Sequence, residues 1–341
     1  MNNFNDLIFT GRGSNALWSI LKAIDGKNKS ILLPVNICEI VVGIILKLGM
    51  CPVFYDVNSK NGNANLALIK NAYRGNENIL LAVHNFGIPI AIDEIKRWTA
   101  AQNIYLIEDV CNAIGATYKN KPLGNFGDAA IYSFGYAKII ENGVGGAMKI
   151  KNKHILNKAI EIMKALPVFN NLYREKDKYY QDKLKKLRKK KIYSITKLYN
   201  KYSDYLIFQL DKNNKQKIKK KLKKLNKNIS RRNIIANYYR DNISNKAIIT
   251  QPFVEGEVCW RYTILATNND IRNKFVNKIR ENNLLVSTWY PPVNNLFFPE
   301  QSPKKFPGAY EFGQRVLNLF VDERVTMKDV KKTVTLINSF S

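Results

Sequence analysis

Histidine and cysteine are the scarcest chemical side chains here: two histidines, at 84 and 154, and four cysteines, at 38, 51, 111 and 259, in 341 residues. No two cysteines stand in CxxC spacing, which argues against a zinc site. The opening MNNFNDLIFTGRGSNALW has no basic region followed by an apolar run, so no secretory leader is expected, and the cysteines are read as reduced, mostly buried thiols of a cytoplasmic protein. A membrane-length apolar run is lacking too. The most apolar stretch, Ile31 to Tyr55, is interrupted by Asn36, Glu39 and Lys47 and reads as buried strand, helix and strand. Acidic residues are short: 27 Asp and Glu face 55 Lys and Arg, for a net charge of +28, and between Arg174 and Arg232 there are 23 basic residues against five acidic ones.

Hydrophobic residues make up 45% of the chain, enough for a substantial core. From residue 14 to 150 the pattern alternates. Ser14 to Ile24 has helical periodicity with Ser14 as its cap. Ile31–Leu33, Pro52–Asp56, Ile79–His84, Ile104–Asp109, Ala129–Phe134 and Gly146–Ile150 read as strands, with helices over Ile40–Leu48 and Ile92–Gln102. Such alternation predicts an α/β fold, a mostly parallel sheet sandwiched by helices. A Lys-rich helical segment follows, less patterned near 170–200. Beyond it, Tyr262–Ala266, Asn269–Asn282, Leu284–Trp289 and Thr326–Phe340 suggest a strand, helix, strand and capped helix of a smaller α+β domain. The expected division is a large domain over 11–235 and a small one over 236–341. Ligands of open parallel sheets lie outside the carboxyl ends of strands, where His84, Asp109 and Ser133 fall.

Between residues 107 and 146 an acid closes one strand (Asp109), a Ser-Phe pair closes another (Ser133-Phe134), Lys138 follows five residues later, and Gly143, Gly145 and Gly146 mark a tight turn. These parts suit pyridoxal 5′-phosphate, which needs a lysine amine to bond its aldehyde, a carboxylate beside its ring nitrogen and N–H donors for its phosphate. Lys138, Asp109, and Ser133 with the Gly13-Ser14 helix start supply that set. A packed, hydrogen-bonded role for His84 at the edge of the site competes with a contact to substrate.

The multi-part pattern resembles the DegT–DnrJ–StrS family of pyridoxal-phosphate-dependent nucleotide-sugar aminotransferases. It is carried by Glu108-Asp109-Val110-Cys111-Asn112, Gly115-Ala116, Gly124-Asn125-Phe126-Gly127-Asp128, Ser133-Phe134, Lys138 and Gly145-Gly146, and extends to Gly13-Ser14, Pro52–Asp56, Val83-His84, Tyr290-Pro291 and Val316–Leu319. The resemblance implies the type I fold of these transferases. It gives Lys138 the covalent and proton-transfer role, Asp109 the ring nitrogen, Asn112 the ring hydroxyl, and Ser133, Gly13 and Ser14 the phosphate, with Tyr290 and His84 near substrate. It implies glutamate as amino donor, a keto-sugar on a nucleotide as acceptor, a homodimer, and a place in surface-polysaccharide or amino-sugar biosynthesis. Dehydratase relatives carry histidine where this chain has Lys138. Where the family places an aromatic ring against the cofactor, this chain has the segment Pro34-Val-Asn-Ile-Cys38, with Cys38 or a neighbour at that place. Two alternatives stay open: a catalytically altered member with a regulatory role, and a basic binding protein. For the second, the Lys-rich stretch interleaved with Tyr179, Tyr180, Tyr193, Tyr199 and Tyr202 suggests an anionic membrane surface or nucleic acid. No helix-turn-helix, zinc-finger or RNA-binding signature accompanies it, so nucleic acid is disfavoured and a solvated helical face preferred, with a weak contact to an anionic membrane as the intermediate reading.

Overall fold

A computed structural model describes residues 4–26, 29–189 and 195–339. In chain order the first strands are β1 (Ile8–Thr10), β2 (Ser30–Pro34), β3 (Cys51–Tyr55), β4 (Ile79–Val83) and β5 (Tyr105–Asp109), then a two-stranded ribbon of β6 (Thr117–Tyr118) and β7 (Lys121–Pro122), then β8 (Ala129–Ser133) and β9 (Gly146–Ile150). All but the ribbon form one seven-stranded sheet in the order β1-β9-β8-β5-β4-β2-β3. The strands from β3 to β8 pair in parallel, and β9 runs antiparallel to both β8 and β1.

Both faces of this sheet are covered, and the strand sequences show why. Successive side chains point to opposite faces. Ile31, Leu33, Ile79, Leu81, Ile107, Ile131 and Met148 enter one buried cluster, while Leu32, Leu80, Leu106, Ala130, Tyr132 and Ala147 enter another. The first face is packed by α1 (Gly13–Ala23) and α2 (Glu39–Lys47), whose Leu17, Ile20, Val42 and Ile45 lie fully buried. On the opposite face, α3 (Leu66–Ala72) and α4 (Ile92–Ala101) contribute Ile69, Ile92 and Ile95.

Past β9 come α5 (Lys153–Lys164), α6 (Asn171–Lys189), α7 (Thr196–Tyr202), α8 (Lys212–Leu222) and α9 (Leu225–Asn242). The weakly patterned stretch near 170–200 thus contains a 19-residue helix. Its few inward residues hold it: Tyr180 and Leu184 are buried, Asp177 pairs with Arg12 at 2.9 Å, and Arg188 pairs with buried Glu39. Tyr180, Tyr199 and Tyr202 are themselves packed ring against ring, so only Tyr179 of the interleaved tyrosines in the described residues is exposed; Tyr193 lies outside those residues.

The second sheet is antiparallel, in the order β10-β11-β13-β12, from β10 (Ile248–Thr250), β11 (Tyr262–Ala266), β12 (Val286–Ser287) and β13 (Val316–Leu319). Ile264, Leu317 and Leu319 pack there against α10 (Asn269–Glu281), the C-terminal half of α9 and, after short α11 (Asn294–Phe297) and α12 (Pro307–Arg315), against α13 (Met327–Asn338). Helix α9 runs through residue 235, where a domain boundary was expected. The strand expected over Leu284–Trp289 shortens to two residues. The chain turns away into Pro291-Pro292, which have no N–H to give a sheet, and the Asn318 side chain binds the Trp289 carbonyl at 2.7 Å instead.

Candidate active site

The topology gathers the site. Strand β2 lies between β3 and β4, so the chain reverses its direction of winding there, and ligands of such sheets sit beside that reversal. At the carboxyl ends of parallel strands lie Pro34–Cys38, His84, Asp109 and Ser133. Because β9 and β1 are antiparallel, Gly146 pairs with both Ser133 and Thr10, which brings the start of α1 to the same edge. Glycine is required at this crossing. A Cβ on Gly146 would lie 2.2 Å from the Arg12 carbonyl carbon and 2.4 Å from the Gly13 nitrogen. A Cβ on Gly13 would press on the Ser133 Cβ at 3.0 Å and the Cys111 Sγ at 3.1 Å.

Lys138 is half-buried, and its Nζ donates to Asn112 Oδ1 at 2.8 Å. Asn112 Nδ2 in turn donates to the Tyr290 hydroxyl at 3.3 Å. The structure therefore joins Lys138, Asn112 and Tyr290 in one chain of hydrogen bonds. Burial pushes the Lys138 ammonium down, but the acidic groups around it, Tyr290, Cys111, Cys38 and Asp109, more than offset this and leave its pKa raised. The thiols of Cys38 and Cys111 are pushed up by burial, although Lys138 acts against this. Burial thus favours the protonated form of both thiols beside Lys138.

Asp109 is buried, with 7% of its surface exposed. Its Oδ1 accepts the Cys111 N–H at 2.9 Å, and the Val110 N–H binds the Ile131 carbonyl, which fixes the turn that aims the carboxylate past the strand end. Ser133 Oγ accepts the Gly135 N–H at 3.4 Å. Helix α1 begins with Arg12 as its N-cap and no side-chain cap, so Ser14, expected as the cap, sits inside the first turn. The reason is Asn15, whose Oδ1 accepts the Gly11 N–H at 3.0 Å and pins the chain one step earlier.

His84 does not face a ligand. It is fully buried, its Nδ1 accepts the Ile90 N–H at 3.2 Å, and its Nε2 looks at Glu108 Oε2 at 3.4 Å. The substrate contact expected of His84 is thus corrected to a packing role: both ring nitrogens point into protein. Tyr290 does reach the site, through Asn112.

Trp260 carries no motif, yet it shapes the lysine loop. Ala137, immediately before Lys138, has φ +58°, a left-handed conformation unusual for alanine. Its carbonyl accepts the Trp260 indole N–H, and its own N–H donates to Glu141 Oε2 at 3.0 Å. Trp260 also stacks on Tyr290, with centroids 6.0 Å apart and planes 19° apart. Only the tertiary fold brings residue 260 to residue 137; its sole sequence signal is a tryptophan just before a strand.

Pyridoxal phosphate fits these residues. An amine and a buried carboxylate share one site, and a glycine-only crossing leaves the uncapped N–H groups of α1 beside Ser133 for an anion. Cys38, within electrostatic reach of both Lys138 and Asp109, offers no ring to stack.

Similarity to known proteins identifies the family and the fold. The sequence pattern of the DegT/DnrJ/EryC1/StrS aminotransferase family matches residues 5–338. An uncharacterised protein of Methanocaldococcus jannaschii is 28% identical over 300 residues, 84% of this chain and 72% of that one. A dTDP-3-amino-3,6-dideoxy-alpha-D-galactopyranose transaminase of Aneurinibacillus thermoaerophilus is 24% identical over 98% of this chain and 85% of its own length. Among solved structures, the aminotransferase TlmJ of Streptoalloteichus hindustanus superposes with a TM-score of 0.80 at 15% identity, covering 98% of this chain and 85% of that one. The chain belongs to the DegT/DnrJ/EryC1/StrS aminotransferase family and is a pyridoxal-phosphate-dependent aminotransferase.

Proposed function

We propose that this enzyme moves an amino group from glutamate to a keto-sugar carried on a nucleotide, as a homodimer in the cytoplasm, for surface-polysaccharide or amino-sugar biosynthesis. The observation that carries the reading is the Lys138 amine held on Asn112 within electrostatic reach of the Asp109 carboxylate. Full-length similarity to a dTDP-sugar transaminase supports the acceptor class.

Pyridoxal phosphate, when bound, supplies an aldehyde that takes up the amino group and a ring that receives the electrons of the broken Cα–H bond. Lys138 would hold the aldehyde through Nζ and, as a free amine, would act as base at the donor's Cα and as acid at the sugar carbon that accepts nitrogen. Asp109 would stand beside the ring nitrogen and favour its protonated form by charge. Gly13 and Ser14, with Ser133, would hold the phosphate. Asn112 aims the amine, and Tyr290 aims Asn112.

The purified protein is expected to show a visible absorbance band with added cofactor, bleached by borohydride into a stable covalent adduct. Lys138→Ala is expected to lose the adduct and at least about three orders of magnitude of transamination. A screen of nucleotide keto-sugars with glutamate, read by mass, identifies the acceptor. A colourless wild type with added cofactor, or an active Lys138→Ala, overturns the reading.

A further inference from the structure

Between residues 212 and 227 the chain has nine lysines, no arginine and no acid. This run forms α8 and the corner into α9, and all nine lysines are exposed. Basic helix α6, by contrast, carries Glu175, Asp177 and Asp182 among its lysines. The apolar residues of α8 are Ile218 and Leu222, both buried in the cluster on the α3–α4 face of the large sheet. The lysines in ion pairs among the described residues are Lys47, Lys119, Lys149 and Lys185, none of them from this run. Lys221 is held by the Glu141 carbonyl, and Lys215 and Lys219 lie over the Phe9 ring. The side chains of Lys212, Lys217, Lys220 and Lys223 have no such contact among the described residues and stand in solvent.

Like charges four residues apart on a helix repel, and Lys215 with Lys219, Lys217 with Lys221, and Lys219 with Lys223 are such pairs. Two buried apolar residues are a small anchor for a helix under that repulsion, and a negative partner outside the chain would relieve it. The character of the partner follows from what the helix lacks. Without arginine it has no planar fork for bidentate contacts to phosphates or base edges. No aromatic residue stands in the run to stack on a base. Tyr180, Tyr199 and Tyr202 of the preceding basic stretch are packed inside the protein. Mobile point charges spread over a convex helix suit a diffuse negative plane. Clusters of roughly four to eight lysines on an amphipathic helix have the charge density that holds anionic lipid headgroups. We propose that the outward face of α8 is a docking surface for an anionic lipid bilayer. The contact is purely electrostatic, since the helix has no exposed apolar side chain to insert.

Co-sedimentation of the cofactor-loaded enzyme with vesicles of phosphatidylglycerol and phosphatidylcholine in about equal parts, at about 20 mM salt, tests the surface independently of turnover. Wild type is expected to bind these vesicles, to ignore pure phosphatidylcholine, and to be released at about 300 mM salt. The combined variant Lys212→Gln, Lys217→Gln, Lys220→Gln and Lys223→Gln is expected to bind at least about tenfold more weakly. Its cofactor absorbance should be unchanged and its Tm no lower, because repulsion within α8 is relieved. The control is Lys178→Gln, Lys183→Gln, Lys185→Gln and Lys186→Gln on α6, whose buried Tyr180 and Leu184 pack on the opposite face of the sheet. With the same loss of charge, it is expected to change binding less than about threefold. No binding to anionic vesicles at low salt, or an α8 variant that binds them no worse than the α6 variant, overturns the proposal. A loss confined to duplex DNA of mixed sequence, with vesicle binding intact, also overturns it and assigns the helix to nucleic acid.

Discussion

Glu108 and Asp109 are neighbours in one strand and point to opposite faces, and their environments give them different work. Asp109 faces the ligand edge with one oxygen bound to a backbone N–H. Glu108 is turned inward with no exposed surface. Its oxygens accept the N–H groups of Phe126 at 2.6 Å, Gly127 at 2.7 Å and Gly124 at 2.8 Å. Burial pushes its carboxyl up, but His84 and these amides outweigh that and hold it below the ordinary range. A folded-state pKa below the unfolded one contributes stability that is complete above the unfolded value, near 4.5, and is lost as pH falls through the folded value. Glu108→Gln sets an amide NH₂ against N–H donors and removes the charge. It is expected to cost about 3 kcal/mol at pH 7, by urea denaturation, and less as pH drops below about 4 while the chain remains folded. A penalty under about 1 kcal/mol at pH 7, or one that does not change with pH, would show that the ionised carboxylate does not brace the turn.

At the scale of elements, the loop from Phe134 to Gly145 is what makes one lysine special. It leaves β8, passes through the left-handed Ala137 and is tied at that residue by Trp260 from the second sheet and by Glu141 from its own far side. A strained alanine costs roughly 1–3 kcal/mol, so the loop keeps this shape only while its ties hold. Trp260→Phe retains the stacked ring beside Tyr290 and deletes the N–H. We expect it to lower cofactor affinity about tenfold and to reduce kcat more than KM for the donor, with a stability loss of about 1 kcal/mol. A merely structural tryptophan would lower stability without moving the cofactor dissociation constant. This tie also marks where sequence reading reaches its limit. Strands β2, β4, β5, β8 and β9 were legible because apolar runs buried on both faces have little else to be; Lys138, Asp109 and Ser133 could be proposed as site residues because they lie close together in sequence, and Asn112 through the family resemblance. Helix α6 was not legible, since its apolar residues are few and its order comes from Arg12 and Glu39, far away in sequence. His84 was half legible: its place at a strand end is local, but the direction of its ring is set by Ile90 and Glu108. Trp260 was invisible, because a hydrogen bond between residues 260 and 137 leaves no periodic trace.

For the whole molecule, charge is the unusual term. With 27 acids for 55 bases, most cations have no partner, and the surplus is concentrated on α6 to α9. A folded chain of this length has a radius of gyration of roughly 20 Å. At about 10 mM salt the screening length is about 30 Å, so nearly every positive charge feels every other; at 0.1 M it is about 10 Å, and only neighbours interact. Unfolding at low salt lets the charges separate, which disfavours the compact state. Salt should therefore stabilise this protein. Buried pairs such as Arg261 with Asp322 oppose the trend little, because solvent ions do not enter between them. The apparent Tm of the cofactor-loaded enzyme is expected to rise by several degrees between about 10 and 300 mM sodium chloride. Most of the rise should come below about 100 mM, where the screening length shrinks through the size of the molecule. Neutralising surface lysines of α6 should flatten the curve by raising its low-salt end. A Tm that falls with salt would mean that attractive surface pairs outweigh the repulsion, and the basic helices would then have to be read as bound to the protein's own acids rather than as a positive surface open to other anions.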